Sequence, residues 1–94
     1  MKVYSVFTQL LNQLSKYSKK NDSATSTLKD LSKLNELEEQ IIRCYNNNYF
    51  SFAEYRLLKE LCTQIKSTMR EVIRVNNQVR AIERNIKKNR LLTA

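Results

Sequence analysis

Seven cations recur along one part of this chain: Lys66, Arg70, Arg74, Arg80, Arg84, Lys87 and Lys88. Projected on a helix at 100° per residue they fall within about 140° of one another, so they form a stripe rather than a scatter. At 1.5 Å rise per residue the stripe is about 33 Å long, comparable to one turn of duplex nucleic acid. The chemistry open to such a row is charge-assisted hydrogen bonding to oxyanions, for which the planar arginine fork is well shaped. A merely solvated helix face mixes signs and gains i, i+4 pairs, yet from Lys66 to Lys88 only Glu71 and Glu83 are acidic. Arg70/Arg74 and Arg80/Arg84 set like charges at that spacing, at a few tenths of a kcal/mol each. The helix dipole accounts for Lys87 and Lys88 near the C-terminus, but not for arginines several turns upstream.

Chemistry of other kinds lacks its residues. Histidine and glycine are absent, aspartate occurs only at Asp22 and Asp30, and the two cysteines are not spaced as metal ligands. General-base triads, zinc sites and glycine-rich phosphate loops therefore cannot be assembled. Glu36, Glu38 and Glu39 read as a charged helix face. The expectation is a protein that is not an enzyme and has no metal, no cofactor and no small-molecule substrate.

The elements that must carry the stripe are helices. Proline is absent along with glycine, although average usage would supply roughly eleven of the two in a chain of this size. Their loss removes the usual material of hairpins and helix breaks. Val3, Val6, Phe7, Leu10, Leu11, Leu14 and Tyr17 recur at three-and-four spacing and predict a first helix over about 3–17. The Ser-, Thr- and Asn-rich stretch 18–27 predicts a connector. Leu28, Leu31, Leu34, Leu37, Ile41 and Cys44 then give the inner face of a second helix over 27–45, which Asn46–Asn48 ends by tolerating the left-handed conformation in place of glycine.

Ser51-Phe52-Ala53-Glu54 is a capping box, with Phe50 and Tyr55 placed as a hydrophobic staple, and it starts a third helix over 51–90. Five of the eight aromatic residues cluster here, at Tyr45, Tyr49, Phe50, Phe52 and Tyr55. They are read as covering the hairpin corner. Along the third helix Leu58, Ile65, Val72, Val79 and Ile86 recur every seven residues, with Leu61, Thr68, Val75 and Ile82 three later: the a and d positions of a coiled-coil seam. Helix 2 spans about 27 Å and helix 3 nearer 60 Å, so the distal seam from about Val75 onward needs another partner.

The predicted fold is a single all-α domain over residues 1–94, a three-helix hairpin or bundle with a long C-terminal coiled-coil helix completed by dimerisation. Its interface would be Leu58, Leu61, Ile65, Val72, Val75, Val79, Ile82 and Ile86. Net charge +8 is uneven, with ten basic and four acidic residues after position 50 against seven and five before it. That balance predicts an acidic partner, either nucleic acid or an acidic or helical protein. The first expectation is a homodimer whose Lys/Arg stripe grips duplex RNA or DNA backbone without reading sequence. The alternative is an adaptor, secretion chaperone or effector that offers its seam to a partner helix.

Cys44 and Cys62 fall in different helices and not opposite each other, so each reads as a small buried side chain in a reducing compartment, with Cys62 the better candidate for a dimer-linking thiol. No stretch approaches the ~18 apolar residues of a membrane span. A cytoplasmic, intracellular location is expected.

Overall fold

A computed structural model describes residues 5–93, the last four of them as backbone alone. It contains α1 (Val6–Asp22), α2 (Leu28–Asn46) and α3 (Phe52–Thr93), with no strand among the described residues. The predicted start of the first helix at Val3 lies outside them. Ser5 opens α1 by accepting the Thr8 N–H on its hydroxyl at 3.2 Å. The helix then runs five residues further than its apolar pattern, to Asp22, so the connector is only 23–27. Asn21 is the physical reason. Its side-chain amide is buried, donates to the Ile65 carbonyl at 3.1 Å and accepts from the Ser26 hydroxyl at 2.6 Å, which ties the last turn of α1 to α3.

The connector holds Ala24 at φ 55°, in the left-handed region that costs a non-glycine residue about 1–2 kcal/mol. The Asn76 amide of α3 donates to the Ala24 carbonyl at 2.9 Å and fixes it there. Asn48 takes the same conformation at φ 61° after α2, the role the asparagine triplet predicts. The capping box at Ser51 forms in both directions, with Glu54 N–H to the serine hydroxyl at 3.2 Å and Ser51 N–H to the Glu54 carboxylate at 3.1 Å. Tyr45 is the hub of the corner, its ring 4.2 Å from that of Tyr55 and 6.5 Å from that of Phe50, which is buried.

A second capping box, Thr27 with Asp30, starts α2. Its shorter acidic residue hides the signature from a Ser/Thr-x-x-Glu/Gln search. Asp30 also accepts from Lys20 Nζ at 2.7 Å, joining the end of α1 to the start of α2. That hydrogen bond, with those from Thr27, outweighs burial and holds the carboxyl below its ordinary value. A group lowered on folding stabilises the fold at neutral pH, and the contribution disappears as pH falls through the folded value. Asp30→Asn is therefore expected to cost about 1–3 kcal/mol near pH 7, from cap and ion pair together, and much less in acid. Urea unfolding of both chains at pH 7 and in the acid limb checks this; a pH-independent difference refutes it.

The core joins Leu10 and Leu14 of α1 to Leu34, Leu37 and Ile41 of α2, with Phe50 and with Leu58, Cys62, Ile65 and Met69 of α3. Of the predicted seam, Leu58 and Ile65 are spent in this core. The d positions do not follow them: Leu61 is half-buried and Thr68 exposed, while Cys62 and Met69 are fully buried. Two short helices straddle α3, so the covered face steps four, three and four residues along a straight helix instead of following a two-stranded seam. Leu28, predicted to face inward, is 67% exposed at the first position of α2.

Cys62 is thus no dimer-linking thiol. Burial, reinforced by the nearby Glu38 carboxylate, pushes it up to about 11, so it stays protonated and inaccessible. Cys44 is half-buried and also free. Maleimide labelling of the native protein is expected to modify Cys44 alone, with Cys62 reacting after denaturation. Fast native reaction of both would contradict this packing.

Candidate nucleic-acid interface

α1 runs alongside α3 in the same direction and α2 returns against it. The last turn of α1 lies beside Leu61 to Thr68, the start of α2 lies beside Ile73 to Arg80, and Glu38 in its middle meets Lys59 and Lys66. At 1.5 Å per residue α1 and α2 reach about 26 and 29 Å, whereas α3 reaches about 63 Å. The molecule is accordingly 65 Å long and only 27 by 16 Å across. From Asn77 to Asn89 every residue of α3 is exposed. The projecting end is a helix with no cover.

The stripe divides at that boundary. Lys66 is only 13% exposed and turns to α2, where its ammonium lies 3.2 Å from Glu38 and donates to the side-chain Oδ1 of Asn35 at 3.3 Å. Burial alone would raise the Glu38 carboxyl, but the Lys66 hydrogen bond and the charges of Lys59 and Lys66 overcome it and leave it lowered. Lys66 is therefore a clamp between α2 and α3. Arg74 makes a two-pronged pair with Glu71, one prong from Nε at 3.2 Å, on the open surface. The pair lowers Glu71 and raises Arg74, and both remain exposed.

Arg70, Arg80, Arg84, Lys87 and Lys88 stay on the exposed face, and among the described residues no carboxylate pairs with any of them. From Arg70 to Lys88 they extend about 27 Å. Glu83 projects about 90° away from the centre of this row, toward the side that continues the core face. On the far side Val75, Val79, Ile82 and Ile86 are 41, 46, 58 and 48% exposed, so the predicted distal seam is an uncovered aliphatic strip. Val72, where that strip meets the bundle, is half-buried. Lys66 falls outside the usable row because its ion-pair partner, Glu38, lies in α2, 28 residues upstream. Its sequence signal was the acidic run at Glu36, Glu38 and Glu39, which supplies that carboxylate.

Grooves elsewhere are shallow. One between α1 and α2 is lined by Lys16, Lys33 and Arg43 together with Glu36 and Glu39 and has no single sign. Among the described residues no cluster of ligating side chains could hold a metal, and no helix is long and apolar enough to cross a membrane. The class defined by fold and surface is an all-α hairpin bundle that extends one bare amphipathic helix, cationic on one side and aliphatic on the other. No protein-family model matches the chain, no curated protein is detectably similar to it, and no solved structure matches it.

Proposed function

We propose that this is a non-enzymatic helical protein that self-associates through the distal part of α3 and binds the backbone of duplex RNA or DNA through its outer basic row. The observation that carries the reading is the set of five exposed cations, Arg70, Arg80, Arg84, Lys87 and Lys88, without a carboxylate partner. Their mutual repulsion is offset when phosphates lie against them. A straight helix face presents no shaped pocket for a base edge, so binding is expected to be strongly salt-dependent and tolerant of sequence. Titration with duplexes of unrelated sequence at rising salt tests it. Affinity insensitive to salt discards the reading.

The aliphatic strip Val75–Ile86 favours a second reading, a protein-interaction module whose seam receives a helix of another protein. Light scattering separates the two. A discrete dimer supports self-pairing, and a monomer that exposes the strip supports a foreign helix.

A further inference from the structure

The face of α3 that carries Val75, Val79, Ile82 and Ile86 is one stripe with Leu61 and Thr68 nearer the bundle. On that nearer part α1 already lies alongside, with Ser18, Asn21 and Asp22 against Leu61, Gln64 and Thr68. α1 is followed by the connector at Ala24, which is pinned to Asn76, and beyond that point the stripe is bare. From this arrangement we infer that the free end of α3 pairs antiparallel with the same segment of a second copy, in the register that sets Val79 against Ile82. The inference rests on the self-association proposed above and assigns its geometry.

Orientation follows from what already occupies the stripe. In a parallel pair Thr68 of one chain lies beside Thr68 of the other, and both α1 helices compete for that space. In an antiparallel pair the free end of each α3 takes the place that α1 leaves past Ala24. The stripe is then covered along its length, by α1 near the bundle and by the second copy beyond it. An apolar hollow lined by Ala24, Thr68, Val72 and Val75 marks the junction, and Ile86 of the second copy falls there, opposite Val75.

Register follows from the side chains. With Val79 facing Ile82, Val75 faces Ile86, and the twofold repeats both layers, giving four aliphatic layers in succession. Sliding outward by one heptad sets Val79 against Asn89. Sliding inward drives the end of α3 onto Leu61 and Gln64, where α1 sits.

Charge selects a second copy as the occupant. The chain carries +8, so self-pairing requires a seam whose borders hold no facing cations. Glu71, Asn76, Gln78, Glu83 and Asn85 border this one. In the stated register Glu83 lies beside Asn76, and Gln78 beside Asn85. Lys66, Arg70, Arg74, Arg80, Arg84, Lys87 and Lys88 all lie on the other side of the helix, so none of these seven faces a like charge across the seam.

The test uses the full chain with Cys44→Ser, which leaves only the buried Cys62. Sedimentation equilibrium is expected to show a dimer, and Ile82→Glu, a change at an exposed position, to weaken it by ~100-fold or more, since two buried isoleucines are lost at once. Val79→Cys and Ile82→Cys chains carrying different tags are then mixed and oxidised. Disulfides joining one variant to the other are expected. Disulfides formed only within each variant overturn the antiparallel register while leaving self-association standing. A chain that stays monomeric into the millimolar range overturns both.

Discussion

Replacing Arg80, Arg84 and Lys87 together by glutamate is expected to lower duplex affinity by at least ~100-fold near 100 mM salt and to flatten its salt dependence. Each phosphate neutralised on B-form DNA contributes about 0.9 to the slope of log affinity against log salt, so five free cations predict a slope of about −4 to −5. Removing three contacts leaves a slope near −2, and reversing the charges adds repulsion. The three positions are exposed, and only Arg80 comes near another element, at the edge of the groove beside Thr27 and Leu28. Glutamate is as good a helix former as arginine or lysine, and at positions 80 and 84 one like-charge pair is exchanged for another of opposite sign, with the Glu83/Lys87 pair lost, so helix content should fall only slightly. Arg43→Glu, exposed on α2 at the mixed-charge groove, is the control and should cost little. Fluorescence anisotropy over a salt series reads both quantities. A triple variant that binds as tightly as the parent, with the same slope, ends the nucleic-acid reading.

Stripe and seam separate experimentally because they lie on nearly opposite sides of one helix. Pairing of two free ends turns the cationic rows outward, on opposite faces of the pair. A single duplex then meets one row, and the contacts per chain do not depend on the seam. Loss of binding on charge reversal thus speaks to the outer row, and loss of dimer on Ile82→Glu speaks to the inner one.

Much of this was legible in the residues. The capping box at Ser51, the asparagine stop after α2 and the excess length of α3 are local signals, fixed by side chains within a few positions of each other. The heptad reading identified Leu58 and Ile65 as inward and the distal strip as uncovered. It missed Cys62 and Met69 because a repeat of seven cannot tell one partner helix from two, and two neighbours shift the covered face toward the position after each d. The extra turns of α1 were hidden for a related reason. Ser18 to Asp22 carry no apolar pattern, and their order comes from Asn21 reaching the Ile65 carbonyl forty-four residues away. Lys66 left the usable row through a pairing with Glu38 that only the return of α2 creates.

That shift of face gives the largest expected stability effect. Met69 is fully buried between the helices of the bundle, while Ile82 is 58% exposed thirteen residues further along the same helix. Met69→Ala removes packed atoms and leaves a cavity that rigid neighbours fill only in part, for about 2–4 kcal/mol. For a domain whose total stability is of order 5–14 kcal/mol, that lowers the melting temperature by about 10 °C or more. Ile82→Ala in dilute, monomeric protein removes little buried area and substitutes the better helix former, so it should stay within about 0.5 kcal/mol. Amide exchange gives the same division at single residues. The helix past Asn77 has no tertiary cover, and a segment of that length is marginal in isolation, so its amides should exchange far faster than those from Leu58 to Met69. Equal costs for the two alanine changes, or uniform protection along α3, would mean that the free end is held by contacts within the same chain. There would then be no bare strip for a second copy to cover.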